Sequence, residues 1–124
     1  SRLIGISTEE IQKNRLQITS MFSCYNSLTL VLKGSPSLIG FSDGSIVINP
    51  TGNPGMATGG SGDVLTGIIA GLIAQGLSSP EASIAGTYIH GQTGDHFASS
   101  ESQTTLIAGD LLRCLPETLK RIIP

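Results

Sequence analysis

The stretch Thr51–Asp63, T-G-N-P-G-M-A-T-G-G-S-G-D, constrains this chain more than any other. It holds Gly52, Gly55, Gly59, Gly60 and Gly62, five of the sixteen glycines. Directly behind it come Val64, Leu65, Ile68, Ile69, Leu72 and Ile73, apolar positions at helical spacing. Glycines let a backbone approach a ligand closely and adopt positive φ. A helix starting behind them points unpaired N–H groups and a partial positive charge back into the loop. That combination is an anion site, most often for phosphate. Asp63 stands at the helix mouth, where a carboxylate can deprotonate a hydroxyl that attacks phosphorus. Alone, it would be an N-terminal acid favourable to the helix dipole.

Other readings of the loop fare worse. Flexible Gly/Ser linkers rarely end in a lone acid fused to a strongly apolar helix. Gly55 and Gly60 have P-loop spacing, but Ser61 stands where the lysine belongs. The dinucleotide fingerprint fails too, because the third glycine position after Gly60 and Gly62 is Leu65.

Along the chain, Ser1–Gly5 reads as the middle of something rather than a beginning. Ser7 and Glu10 form a capping box ahead of one helix carrying Ile11, Ile18, Phe22 and Tyr25 on a stripe. Leu28–Lys33 reads as a strand. Ser37–Phe41 and Ser45–Ile48 read as a hairpin turning at Asp43-Gly44. Behind the glycine-loop helix, Gly76 suits the C′ position. Ser79-Pro80-Glu81 restarts a helix, with Ser79 as N-cap, that ends near His90 and Asp95. His96 then falls in a loop, and the serine-rich run Ala98–Gln103 reads as mobile. A last helix from about Ile107 through Leu112 is interrupted or ended by Pro116, with a resumption to Ile123 as the alternative.

With a net charge of −2 and no basic run, a nucleic-acid surface is not expected. The apolar run Val64–Ala74 is too short to span a bilayer, so no membrane role is expected. Cys24 and Cys114 form no metal or redox motif and fit a reducing compartment, the cytoplasm. No acid cluster marks a protein metal cage.

The run N-P-T-G-N-P-G-M-A-T-G-G-S-G-D-V-L-T-G, Asn49 to Gly67, resembles the signature of the ATP/ADP-dependent NAD(P)H-hydrate dehydratases. These are members of the ribokinase-like superfamily. V-L-K-G at Val31–Gly34 and Y-I-H-G-Q-T-G-D at Tyr88–Asp95 extend the likeness. The resemblance implies an α/β, ribokinase-like three-layer fold, of which this chain is the C-terminal portion: few strands, a hairpin, then helices. Residues 1–124 are accordingly expected to be part of one nucleotide-binding catalytic domain. Three short strands are also few for the helices that need covering.

By resemblance the reaction is the repair of hydrated NAD(P)H. The C6 hydroxyl is phosphorylated from ADP or ATP, with Mg²⁺ accompanying the nucleotide, and phosphate then leaves. Asp63 would be the catalytic base and touch the substrate. The amides of Gly60, Ser61 and Gly62 would hold the phosphoryl group. The nucleotide site would extend back through Asn53, Pro54, Gly55, Met56, Ala57, Thr58 and Gly59. Lys33, Gly34, Ser35, Pro36 and Ser37 would line it from a strand end, although a lysine followed by a turn reads as well. Asn49, Thr51 and Asn53 could bond ribose or base, or equally their own backbone. His90 reads as packing or a helix-end hydrogen bond.

The expected partners are a small-molecule nucleotide and the hydrated nicotinamide nucleotide. The intact protein is expected to be a homo-oligomer, with an epimerase, fused or separate, beside it. The chain alone is expected to be inactive. A sugar or vitamin-precursor kinase of the same superfamily would share Gly60–Asp63 but has no reason to keep N-P-T-G-N-P-G. A non-catalytic nucleotide-binding module is the other rival. Gly62→Val is expected to abolish turnover by crowding the phosphate and opposing any positive φ there.

Overall fold

The computed structural model describes residues 4–123. Residues 1–3 of the opening segment therefore lie outside the described part. The chain divides into two compact units, Ser1–Ile48 and Asn49–Pro124.

The first unit carries α1 (Thr8–Lys13), α2 (Arg15–Tyr25) and a sheet of β1 (Leu30–Leu32), β2 (Ser37–Gly40) and β3 (Ile46–Asn49) in the order β1-β2-β3. β1 and β2 are antiparallel, with Val31 opposite Ile39. The turn between β2 and β3 forms where the sequence places it. Gly44 takes φ 81°, and the Ser45 amide and hydroxyl both donate to Asp43 Oδ1. α2 lies against the sheet because β2 ends in glycine: a Cβ on Gly40 would stand 2.7 Å from Thr19 Cγ2 and 2.8 Å from Ser23 Oγ.

The single helix expected after Ser7 is in fact two. Ser7 does cap α1, accepting from the Glu10 amide. The break falls at Asn14, whose amide side chain reaches the Glu10 carbonyl and whose backbone leaves helical geometry (φ −126°, ψ 33°). This is the local competition with the helix ladder that asparagine offers. The expected stripe is met in part: Ile11 is buried and Ile18 and Phe22 are half-buried. Thr19 and Ser23 become the buried face of α2, while Tyr25 is 90% exposed.

The second unit is helical: α3 (Ser61–Ala74), α4 (Ser79–Ser100) and α5 (Ala108–Ile122), with short 3₁₀ turns at Pro54–Met56 and Gln103–Thr105. α4 packs against both α3 and α5. Phe97, Leu106 and Leu111 form the centre, joined by Met56, Val64 and Cys114. Gly76, at φ 103°, closes α3: its amide bonds the Ile73 carbonyl, and that of Leu77 bonds Leu72. These are the two bonds of a Schellman cap.

Three expectations in this unit are corrected. α4 is capped by Ser78, one residue earlier than expected, through a reciprocal box with Glu81. It also runs past Asp95 to Ser100, so His96 and Ala98–Ser100 are helical rather than loop. The serines permit this because Ser99 and Ser100 bond carbonyls of their own helix, at His96 and Phe97. Phe97 is buried, and His96 Nδ1 lies 2.9 Å from the Thr118 hydroxyl of α5. α5 likewise continues through Pro116. Pro116 and Leu112 are both exposed, so the carbonyl the proline leaves unpaired lies on the solvent side, where water can serve it.

Asp110 starts α5 by accepting from the Ile107 amide at 2.9 Å, and Arg113 pairs with it. The Ile107 amide, then Arg113, hold its carboxyl below the usual carboxylate range. A lowered folded-state pKa stabilises the fold above the unfolded value, near 4, and that contribution is lost as pH falls through the folded value. Asp110→Asn should therefore lower the thermal midpoint at pH 7, with the gap to wild type closing on acidification below about pH 4.

Candidate active site

The glycine loop leaves β3 at Asn49, whose buried side chain donates to the Thr51 carbonyl at 3.1 Å and lies 3.5 Å from that of Thr87 in α4. The Thr51 hydroxyl lies 3.0 Å from Asn49 Oδ1 and 3.1 Å from the Tyr88 carbonyl. This proximity depends on α4 having no side chain at Gly91. A Cβ there would overlap Thr51 Oγ1 and stand 2.7 Å from the Thr51 carbonyl carbon. Asn49 and Thr51, weighed above as ribose or base contacts, thus have their polar groups engaged in anchoring the loop.

Gly52 turns the chain at φ 102°, and its amide donates to Asp95 Oδ2 at 2.8 Å. Asn53 Nδ2 donates to Asp95 Oδ1 at 3.0 Å, while Asn53 Oδ1 accepts from the Gly55 amide at 3.1 Å. That last bond caps the 3₁₀ turn Pro54–Met56, which lays the Met56 side chain over Gly94 of α4. Gly55 itself faces the Gln103 backbone, with no room for a Cβ. Ala57, Thr58 and Gly59 then lead to Gly60.

Gly60 is the left-handed residue of the turn into α3, at φ 84° and ψ −15°, and precedes the first residue of that helix. Gly62 lies inside the helix without positive φ, so the backbone-strain part of the Gly62→Val expectation belongs to Gly60. Among the described residues the amides of Gly60 and Gly62 have no intrachain acceptor. The other two amides here are engaged: Ser61 donates to the Thr58 carbonyl at 3.3 Å, and Asp63 to the Gly60 carbonyl at 3.0 Å. Ser61 is buried, with its carbonyl 2.9 Å and its hydroxyl 3.3 Å from His90 Nε2. A carbonyl only accepts, so Nε2 carries the proton and donates to it. Asp63, in the first turn of α3, is exposed. Among the described residues its carboxylate makes no hydrogen bond or ion pair. Chemically, this is a helix N-terminus offering two unpaired amides beside a carboxylate open to an incoming hydroxyl.

Lys33–Ser37 belongs to the other unit and is described by itself. The Ser37 hydroxyl closes the segment by donating to the Gly34 carbonyl at 3.2 Å, and it lies 3.3 Å from the Gly34 amide. Lys33, Gly34, Ser35 and Pro36 are exposed. Arg15, to which sequence reasoning gave no role, reaches this turn from α2. Its Nη2 donates to the Pro36 carbonyl at 2.7 Å and lies 3.4 Å from that of Leu32. The guanidinium also occupies the space a side chain on Gly34 would fill. Asp95 is the other residue missed. Both join partners far apart in sequence, Arg15 to Pro36 and Asp95 to Gly52, and periodicity carries no trace of such pairs. Among the described residues no three His, Cys, Asp or Glu side chains come together to hold a metal ion. No helix among them is long and apolar enough to cross a membrane.

Comparison with known proteins gives a consistent pattern. The family profile described as NAD(P)H-hydrate dehydratase matches residues 1–117. The bifunctional NAD(P)H-hydrate repair enzyme of Moorella thermoacetica is 48% identical over 122 residues, 98% of this chain and 23% of its own length. The crystal structure of the ADP/ATP-dependent NAD(P)H-hydrate dehydratase from Bacillus subtilis, co-crystallised with ATP and Mg²⁺, superposes with a TM-score of 0.92 at 35% identity. It covers 97% of this chain, which spans 43% of that one. A ribokinase-like superfamily protein from Enterococcus faecalis gives a TM-score of 0.74 at 36% identity, over 90% of this chain and 38% of its own. The fold is α/β and ribokinase-like, and the chain spans less than half the length of each of these relatives.

Proposed function

This chain belongs to the NAD(P)H-hydrate dehydratase family, and on that premise we propose that it carries the phosphoryl-transfer site of an ADP- or ATP-dependent dehydration restoring NAD(P)H from its hydrate. The observation that carries the proposal is the start of α3. The left-handed Gly60 turns the chain so that the unpaired amides of Gly60 and Gly62 flank the helix mouth, with exposed Asp63 inside the first turn.

In this mechanism Asp63 accepts the proton of the C6 hydroxyl as its oxygen bonds the terminal phosphorus of the nucleotide. The P–O bond to the nucleotide breaks, releasing AMP from ADP or ADP from ATP. The Gly60 and Gly62 amides, aided by the helix dipole, stabilise charge on the transferring group. Phosphorylation turns hydroxide into a good leaving group. The C6–O bond then breaks with its electron pair going to phosphate, the ring nitrogen lone pair supports the carbon, and a proton lost from the neighbouring carbon restores the double bond. Mg²⁺ would screen the phosphate charges, held by phosphate and water oxygens in the absence of a protein cage among the described residues. In the other unit, exposed Lys33 and its neighbours Gly34–Pro36 stand by themselves as a second candidate for phosphate or nucleotide contact.

The test uses a chimaera in which residues 1–124 replace the matching span of the Bacillus subtilis dehydratase. Hydrated NADH with ADP or ATP should give a nucleotide-dependent rise in reduced-nicotinamide absorbance. Binding of ATP without that rise would favour a non-catalytic nucleotide module.

A further inference from the structure

We propose that Asp95 is a positioning residue, whose carboxylate fixes the glycine loop in the conformation that presents the Gly60 and Gly62 amides to phosphate. The inference rests on the anion-site reading of that turn. An ionised carboxylate only accepts, and its two oxygens suit two donors at once. Asp95 has such a pair: the Gly52 amide on Oδ2 at 2.8 Å and Asn53 Nδ2 on Oδ1 at 3.0 Å. Both bonds are charge-assisted and therefore stronger than neutral ones. Asn53 relays the anchor, because its own oxygen accepts from the Gly55 amide at 3.1 Å.

The far end of the loop is held by the same helix, five residues earlier in sequence, where His90 bonds the Ser61 carbonyl. Between the two anchors run Ala57, Gly59 and Gly60, all exposed. No side-chain bond locks that middle among the described residues. Its course, and with it the direction of the Gly60 and Gly62 amides, is therefore set by the two ends and by Met56, which packs over Gly94 and against the Phe97 core between them. Gly52 makes the first end possible, since at φ 102° a side-chain-bearing residue would be strained.

The test exchanges donor and acceptor on the full chain, through Asp95→Asn, Asn53→Asp and the double variant. Three quantities are followed: amide exchange at Gly52 and Gly55, the thermal midpoint, and ATP affinity by titration. Asp95→Asn turns an amide nitrogen toward one of the two donors. Asn53→Asp sets two carboxylates face to face. Each single change should speed exchange at these amides, and weaken ATP, by about tenfold or more, the scale of losing a bond to a charged group. The double variant restores every pairing. The new amide at position 95 donates to the new carboxylate at 53 and still accepts from Gly52, while the second oxygen at 53 keeps Gly55. Exchange and ATP affinity should both recover.

Faster exchange with unchanged ATP affinity would overturn the positioning role, as would a double variant no better than the singles. If Asp95→Asn does not fold, Asn53→Ala, which removes one donor and leaves Asp95 in place, gives the same two readouts. A wild-type chain that binds no ATP refutes the anion-site reading. The exchange arm needs no nucleotide and still upholds or overturns the grip of Asp95 on the loop.

Discussion

Asp63→Asn lowers hydrate turnover by about 10²–10⁴-fold, the usual contribution of a general base, while ATP affinity holds or rises. The two effects separate because of where Asp63 sits. It is exposed in the first turn of α3, beside amides that would hold phosphate, and among the described residues nothing bonds its side chain. A negative charge there opposes nucleotide phosphates, so removing it cannot weaken their binding electrostatically. The substitution keeps the size of the side chain and gives up only the helix-dipole benefit of an acid, about 0.3–1 kcal/mol at an exposed site. The thermal midpoint should barely move. Turnover in the chimaera and ATP titration on the same preparation decide the matter. Undiminished turnover would place the base elsewhere, and ATP affinity lost in step with rate would make Asp63 a binding group.

How much of this site the sequence discloses depends on whether its determinants are local. The helix behind the glycine loop, the cap at Gly76 and the hairpin turn at Asp43-Gly44 each follow from a few adjacent residues and appear where expected, whereas the positive φ falls on Gly60 rather than Gly62. The failures come where a distant partner overrides a local signal. Serines at 99 and 100 read as loop, yet burial of Phe97 and the contact of His96 with Thr118 keep α4 wound around them. Pro116 reads as an interruption or a stop, yet the face it disrupts is turned to water and the helix runs on. Asn14 fails in the opposite sense, since its side chain breaks a helix that the apolar spacing would continue. Asp95 is the functional counterpart. It closes the Tyr88–Asp95 run that extends the family likeness, but nothing local says what it bonds, and its meaning comes from amides more than forty residues earlier.

Two glycines of α4, three residues apart, should respond unequally to alanine. In a helix interior Gly→Ala gains about 0.8–1.0 kcal/mol from propensity alone. At Gly91 that gain meets a rigid obstacle, because the new methyl would overlap the Thr51 side chain and stand 2.7 Å from its backbone carbonyl carbon. Overpacking of this kind costs about 1–3 kcal/mol. Moving Thr51 aside also breaks its hydroxyl contact, worth about 1 kcal/mol. The net loss should be about 1–3 kcal/mol, and the loop that moves is the one leading to Gly60, so ATP affinity should fall as well. At Gly94 the obstacle is the Met56 side chain, whose Cγ lies at 2.7 Å and Cε at 3.0 Å from the added Cβ. An unbranched thioether with three rotatable bonds can swing away. The propensity gain then offsets most of the cost, and stability should stay within about 1 kcal/mol of wild type. Urea denaturation of both variants beside wild type tests the contrast. Equal losses at the two positions would mean that Thr51 yields as readily as Met56, and that Gly91 is not what seats the loop on α4.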